Sequence, residues 1–85
     1  MKAEIKLEEL LTVVGPSMIV RIIDETMVPA SELAQTDYDN ITKAKGPAAR
    51  VRRELSGQSL TVKLIDPTVE TENGRYCLRI WIYGD

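Results

Sequence analysis

Histidine is absent from the 85-residue chain, and cysteine occurs once, as Cys77. Histidine is the commonest general base and a frequent metal ligand, so its absence excludes catalytic triads and the usual zinc sites. A single cysteine excludes an intrachain disulfide, which is typical of a reducing compartment. The five glycines form no phosphate-binding fingerprint. We therefore expect a protein that is not an enzyme, with no catalytic residue, cofactor or metal site.

Two features could still suggest chemistry, and we interpret both as structural. Asp37 and Asp39 are spaced as two ligands of a hard cation could be, but the sixth position from Asp37 is Thr42, where a calcium loop needs glycine. Solvated loop carboxylates are the simpler interpretation. Cys77 has arginines nearby in sequence but no histidine to activate it, so we expect a small half-buried residue.

Aromatic residues and long apolar runs are also scarce. There is no phenylalanine, and the aromatic set is Trp81, Tyr38, Tyr76 and Tyr83. The core must therefore be built from leucine, isoleucine and valine, and it is thin enough to gain stability from a partner or a second copy of the chain. No apolar stretch approaches the ~20 residues that a membrane span needs, and the start carries charges too densely for a signal peptide. We expect one soluble cytoplasmic domain over residues 1–85, with no membrane contact.

The charge is distributed unevenly along the chain. The formal net charge is −2, which argues against an undirected polyanion binder. The stretch KAKGPAARVRREL nevertheless places five basic residues in positions 43–53 with no acid before Glu54, while the residues outside 43–53 include six basic and thirteen acidic ones. This basic run consists of Lys43, Lys45, Arg50, Arg52 and Arg53.

Apolar periodicity predicts the first half of the fold. Leu7, Leu10, Leu11 and Val14 share one helical face, which predicts a helix over residues 6–14 that ends at Gly15 and Pro16. The stretch SMIVRIIDE alternates and is rich in β-branched residues, so we expect a strand. PASELAQ indicates a short helical turn. Residues 36–46 are polar and aperiodic, which predicts a mobile loop.

The second half is predicted to be a helix followed by a hairpin. Ala48, Val51 and Leu55 form an apolar stripe after Pro47, with Arg50, Arg52 and Arg53 outside it. SLTVKLID and RYCLRIWIYGD alternate as two antiparallel strands joined through Asn73-Gly74. The predicted fold is α+β: a three-stranded, mainly antiparallel sheet with the N-terminal helix packed on one face and one or two short helices between the first two strands.

The pleat of these strands leaves a second face of mixed character. It carries Arg21, Lys63, Arg79, Trp81 and Tyr83, with isoleucines among them. Tryptophan, tyrosine and arginine are enriched where protein partners dock, and aromatics beside cations also bind single-stranded nucleic acids. Two structural explanations stay open: the chain's own helices cover this face, or Trp81 belongs to the core.

The blocks KLEELLTVV, IVRIID, VRREL, LTVKLI and CLRIWI together resemble a group of small prophage and Firmicute proteins without assigned function. Members open on a leucine-rich helix, enter an alternating strand that ends in aspartate, and close with two short strands. This chain departs from that pattern in residues 36–50, where its loop is longer and basic. The resemblance implies origin in a phage or mobile element and a regulatory or host-interaction role, and no functional residues are carried over.

We therefore expect a small non-catalytic interaction or regulatory protein that binds a macromolecular partner. The candidate partner-binding residues are Arg79, Trp81 and Tyr83, joined by Arg50, Arg52 and Arg53. The first alternative is a weak nucleic-acid binder that uses Lys43, Lys45, Arg50, Arg52 and Arg53. The second alternative is a structural homo-oligomer, formed through strand edges or through two mixed faces.

Overall fold

The computed structural model describes residues 4–70 and 75–83 and confirms an α+β fold. In its described part, no helix has the length and apolar character needed to cross a membrane. Three 3₁₀ helices lie between the first two strands, at Glu25–Met27, Ala30–Gln35 and Tyr38–Ile41. The other elements, in chain order, are α1 (Leu7–Val13), β1 (Ile19–Ile23), β2 (Thr42–Pro47), α2 (Ala48–Glu54), β3 (Val62–Glu70) and β4 (Arg75–Ile82).

Helix α1 forms where the apolar periodicity predicts it. Glu8 and Glu9 occupy its first turn, where negative charge is favourable to the helix dipole, and Leu7 and Leu11 are buried. The first residue of the helix is tied to a distant part of the chain, because the Leu7 N–H donates to the Leu60 carbonyl at 2.8 Å. The helix ends because Val14 adopts an extended conformation. A left-handed glycine is not used there, since Gly15 does not have a positive φ.

The sheet has four strands in the order β2-β1-β4-β3, so the expected three-stranded sheet is corrected. Strand β1 is antiparallel to β2 and parallel to β4, and β4 is antiparallel to β3. The missed strand is β2, whose sequence TKAKGP has no alternating apolar pattern. It forms at the edge of the sheet, where one buried neighbour suffices and exposed lysines discourage pairing with another chain.

The predicted loop of residues 36–46 contains the 3₁₀ helix Tyr38–Ile41 and most of β2. Its expected mobility stays a prediction. The predicted hairpin of β3 and β4 is confirmed, with a register shift between Val62 and Leu64. The Asn73-Gly74 turn lies outside the described residues.

Both α-helices cover the same face of the sheet, which we call the helix face. On β1 and β4 this face places Val20 beside Leu78 and Ile22 beside Ile80. The predicted stripe of α2 is confirmed, because Ala48 and Val51 are fully buried and Leu55 packs against them. The main core cluster consists of Leu7, Leu11, Val20, Ile22, Ala48, Val51, Ile80 and Ile82.

Two substitutions on α1 test this packing. Leu11→Ala should lower the free energy of unfolding by about 2–5 kcal/mol, because it removes buried methyl groups and leaves a cavity. Val13→Ala on the same helix should change it by less than about 0.5 kcal/mol, since Val13 is 80% exposed. Urea denaturation measures both. Equal losses would contradict the assignment of the buried face.

Candidate partner-binding surface

The second face of the sheet, which we call the mixed face, is positioned by the pairing of β1 with β4. Arg21 of β1 lies beside Arg79 of β4. Lys45 of β2 is the partner of Arg21 on its other side, and Asp66 of β3 is the partner of Arg79. A row of three cations and one acid therefore crosses all four strands. The adjacent row contains Ile23, Trp81 and Leu64.

Part of the mixed face is covered by residues 24–41, which we call the cover segment. Its two ends are joined by the Asp24 N–H, which donates to the Ile41 carbonyl at 2.8 Å. The Asp24 side chain also accepts from the Thr26 N–H at 2.9 Å. Asp24 and Ile41 are the only buried residues of the segment, whose remaining positions are half-buried or exposed. The cover segment is thus held firmly at its closure and loosely along its length.

The cover segment contacts the mixed face through charged and aromatic groups. Tyr38 packs edge-to-face on Trp81, with ring centroids 6.2 Å apart and planes at 79°. The guanidinium carbon of Arg79 lies 4.6 Å from the centroid of the Tyr38 ring, within cation–π range. At the register shift of β3, the ammonium of Lys63 lies 3.2 Å from a carboxylate oxygen of Glu25.

Arg21 is paired to the same segment. Its Nη1 donates to Asp39 Oδ1 at 3.1 Å and to Thr42 Oγ1 at 3.0 Å. The Arg21 side chain is only 9% exposed whereas that of Asp39 is 90% exposed. A nearly buried guanidinium therefore has its charge balanced by an acid that projects into water.

Arg79 is less well compensated than Arg21. Its Nε atom is buried without a hydrogen-bond partner. No carboxylate in residues 4–70 and 75–83 lies within 4.0 Å of it, although Asp66 is its neighbour on β3. A desolvated donor that lacks a partner lowers stability by about 1–3 kcal/mol, which the Tyr38 ring offsets only in part.

Partly exposed apolar groups lie on the same face of the sheet as this arginine. Trp81 is half-buried, so it is neither a fully buried core residue nor a free surface residue. Leu64, the β3 partner of Trp81, is about half exposed, as are Tyr38 and Tyr83. We call Tyr38, Leu64, Arg79, Trp81 and Tyr83 the Arg79 surface. Arg79, Trp81 and Tyr83 were singled out from the sequence. The sequence pattern does not identify Tyr38, which reaches this surface through a long-range contact. It does not identify Leu64 either, which the register of β3 with β4 places beside Trp81.

The basic run is not gathered into one patch. Lys43 and Lys45 lie on β2, whereas Arg50 folds back from α2 and donates from Nη2 to the Lys45 carbonyl at 2.8 Å. The Nε atom of Arg50 is also 3.6 Å from Glu54 Oε1. Gly46, at φ 147°, permits this approach, because a Cβ there would lie 2.0 Å from Arg50 Nη2. Arg50 thus serves the β2–α2 junction.

Arg52 and Arg53 belong to a different part of the surface. They border a shallow depression of about 210 Å³ that Glu8, Ala49 and Ser56 also line. An acid from α1 therefore stands beside these two arginines. In the described structure, the five basic residues are distributed over a sheet edge, a strand–helix junction and the cleft between two helices.

The acidic pair and the cysteine that the sequence analysis considered for chemistry make contacts within the fold. Asp39 contacts Arg21, and the described residues contain no group of three or more acids or cysteines arranged to hold a metal ion. Cys77 is fully buried, where a half-buried position was expected. Strand β4 lies inside the sheet, and this position explains the deeper burial of Cys77.

Comparison with known proteins adds no relative: no family model, curated protein or solved structure matches the chain. The resemblance to prophage and Firmicute proteins stays a prediction.

The Tyr38 contact can be followed through Trp81, the only tryptophan. Tyr38→Ala should shift Trp81 emission to longer wavelength and increase its quenching by acrylamide, because the ring that packs on the indole is removed. Tyr38→Phe retains the ring and should leave both readings close to those of the wild type. Unchanged emission in a folded Tyr38→Ala variant would show that Tyr38 does not cover the indole.

The Arg21–Asp39 pair can be tested with a matched acid in the same segment. Asp39→Asn should lower the free energy of unfolding by about 1 kcal/mol, since a nearly buried guanidinium loses its charged partner while the acid itself is well hydrated. Asp37→Asn should change it by less than about 0.5 kcal/mol. Thermal or urea unfolding measures the difference, and a larger effect at Asp37 would contradict the pairing.

Proposed function

We propose that this protein is a small non-catalytic interaction protein, and that a protein partner docks on the Arg79 surface. The observation that carries this proposal is Arg79 itself: its guanidinium lies on an aromatic ring, its Nε has no hydrogen-bond partner, and it is next to a half-buried tryptophan. The few residues that dominate the binding energy of protein interfaces are enriched in arginine, tryptophan and tyrosine. A partner could complete the hydrogen bonds of Arg79 and cover the exposed apolar rim in one step.

The surface has the layered composition of a docking site. Trp81 offers apolar area near its centre, and Leu64 and Tyr83 are about half exposed at its edge. Arg21 lies beside Arg79 with its charge balanced by Asp39, and Lys45 on β2 extends the same row of cations. This arrangement favours an interface whose core is aromatic and whose specificity is electrostatic.

The nucleic-acid alternative draws less support from the described contacts. Arg50 is bonded within its own strand–helix junction, and Arg52 and Arg53 line a depression that Glu8 also lines. Phosphate binding needs several cations directed at one backbone path, because each released counterion contributes separately to affinity. The same argument makes Arg50, Arg52 and Arg53 a weaker part of the partner site than Arg79, Trp81 and Tyr83.

The proposal is tested by site-specific photocrosslinking in a lysate of the cells that encode the protein. A benzophenone amino acid replaces Tyr83 at the rim of the surface or, as a control, the exposed Val13 on α1. A partner of the Arg79 surface should crosslink at position 83 and not at position 13. The captured protein is then purified and its affinity measured by calorimetry.

Arginine variants decide which surface the purified partner uses. Arg79→Gln should weaken binding by at least about tenfold, the effect of losing a charge-assisted hydrogen bond in an interface. Arg52→Gln on α2 should leave binding unchanged. Dependence on Arg52 instead of Arg79 would refute the assignment. If position 83 crosslinks only to a second copy and light scattering gives a dimer, the protein is a homo-oligomer.

A further inference from the structure

The contacts of the cover segment also indicate what kind of partner would bind, if the proposed function is correct. Asp37, Tyr38 and Asp39 form an acid–tyrosine–acid sequence near the C-terminal end of this segment. Its tyrosine lies on Arg79 and Trp81, and its second acid lies on Arg21. The mixed face therefore already recognises one aromatic–acidic segment, which is part of the same chain.

This internal recognition is incomplete at Arg79. The cover segment gives Arg21 a carboxylate, but it gives Arg79 only the face of a ring. A carboxylate that accepts from Nε and one Nη nitrogen of a guanidinium forms the stronger bidentate arrangement. The row that contains Arg79 has three cations, Lys45, Arg21 and Arg79, against the acid Asp66 and the Asp39 that pairs with Arg21, so its net charge stays positive.

The Tyr38 contact is weak enough to be replaced. Tyr38 is 44% exposed, and none of its 3₁₀ helix except Ile41 is buried. The Asp24–Ile41 hydrogen bond that joins the ends of the segment does not involve the Tyr38 side chain, so the ring can leave Trp81 while this closure is kept. An aromatic pair and an exposed cation–π contact are each weak interactions, whereas a charge-assisted bidentate pair in an interface is among the strong ones.

We infer that the partner presents an acidic segment with an aromatic residue, whose carboxylate binds Arg79 and whose ring takes the place of Tyr38 against Trp81. Tyr38 thus occupies the site in the free protein and lowers the affinity for the partner. This rests on the proposed function and adds the chemical class of the ligand. A single-stranded nucleic acid also offers anions and rings, but a chain of phosphates needs several cations along one path. Asp66, Asp39 and Glu25 interrupt the cations of this face, whereas a single carboxylate needs only Arg79.

The test uses the chain's own segment as a ligand in trans. A fluorescein-labelled peptide of residues 34–42, AQTDYDNIT, is titrated with the full-length protein and followed by anisotropy. Removal of the internal occupant in Tyr38→Ala should tighten peptide binding by about tenfold relative to wild type, the factor that corresponds to about 1.4 kcal/mol of lost contact. Tyr38→Phe, which keeps the ring, should bind as the wild type does.

Matched changes on both sides identify the recognised groups. A peptide with asparagine in place of both aspartates should bind Tyr38→Ala no more tightly than it binds the wild type. Adding Arg79→Gln to Tyr38→Ala should likewise abolish the tighter binding of the original peptide. Arg52→Gln in that background should retain it, while Asp66→Asn should tighten binding further, because it removes the acid next to Arg79 on β3. Circular dichroism establishes that each variant is folded. Tyr38→Leu, which keeps apolar bulk without a π face, replaces Tyr38→Ala if that variant unfolds.

Three results would overturn the inference. The first is a folded Tyr38→Ala or Tyr38→Leu variant that binds the peptide no more tightly than wild type. The second is binding that is insensitive to the aspartate changes, which would make the surface apolar in its specificity. The third is tight binding of a single-stranded oligothymidylate that depends on Arg79, which would assign the surface to nucleic acid. If the peptide fails but a captured protein still binds through Arg79, the inference is wrong and the proposed function stands.

Discussion

The parallel pairing of β1 with β4 is the constraint on which both faces of the sheet depend. Its register sets Val20 beside Leu78 and Ile22 beside Ile80 on the helix face, and Arg21 beside Arg79 on the opposite face. Because side chains alternate along a strand, a slip of one residue would send the arginines into the core and the isoleucines outward. The burial of Ile22 and Ile80 beneath two helices therefore fixes the two guanidinium groups as neighbours.

Two adjacent arginines on inner strands create the electrostatic problem that the cover segment addresses. Like charges opposite one another in a sheet are destabilising, and partial burial strengthens the repulsion because the local dielectric is low. Asp39 balances Arg21 directly, whereas Arg79 receives the face of Tyr38. Folding of the cover segment onto the sheet thus gives Arg21 a carboxylate and gives Arg79 an aromatic ring. The remaining mismatch is a buried Nε without a partner, in the row next to the one that holds Trp81 and Leu64.

Local sequence patterns predict most elements of this fold but not how they are assembled. The helix periodicity of α1, the β-branched alternation of β1, the apolar stripe of α2 and the hairpin of β3 and β4 are all encoded within short windows. Strand β2 escapes prediction because an edge strand of lysine, alanine and glycine has neither alternation nor β-branched residues. The parallel partner of β1 escapes it as well, because pairing between residues 19–23 and 77–81 depends on tertiary packing.

The candidate site also has a part that the sequence predicts and a part that only tertiary packing decides. Placing Arg79 and Trp81 on one face follows from the pleat of a single strand and is predictable. The contribution of Tyr38 is not, because an aperiodic polar stretch gives no signal of where its one aromatic residue will pack. The alternative that the chain's own segments cover the mixed face describes the structure better than a free surface does, although the cover leaves Leu64 and Tyr83 about half exposed.

The basic run illustrates why charge density along a sequence is a poor guide to charge density in space. Its five residues span an edge strand and a helix that meet at a turn, so successive cations point in different directions. One of these cations, Arg50, is used within the junction itself: its guanidinium lies over Gly46 and donates a hydrogen bond to the Lys45 carbonyl. By contrast, Lys45, Arg21 and Arg79 are distant in sequence and are brought into one row by strand register. A positive surface built by register is as rigid as the sheet that carries it. Such rigidity favours recognition of a defined acidic group over the loose attraction that a flexible basic stretch gives to any polyanion.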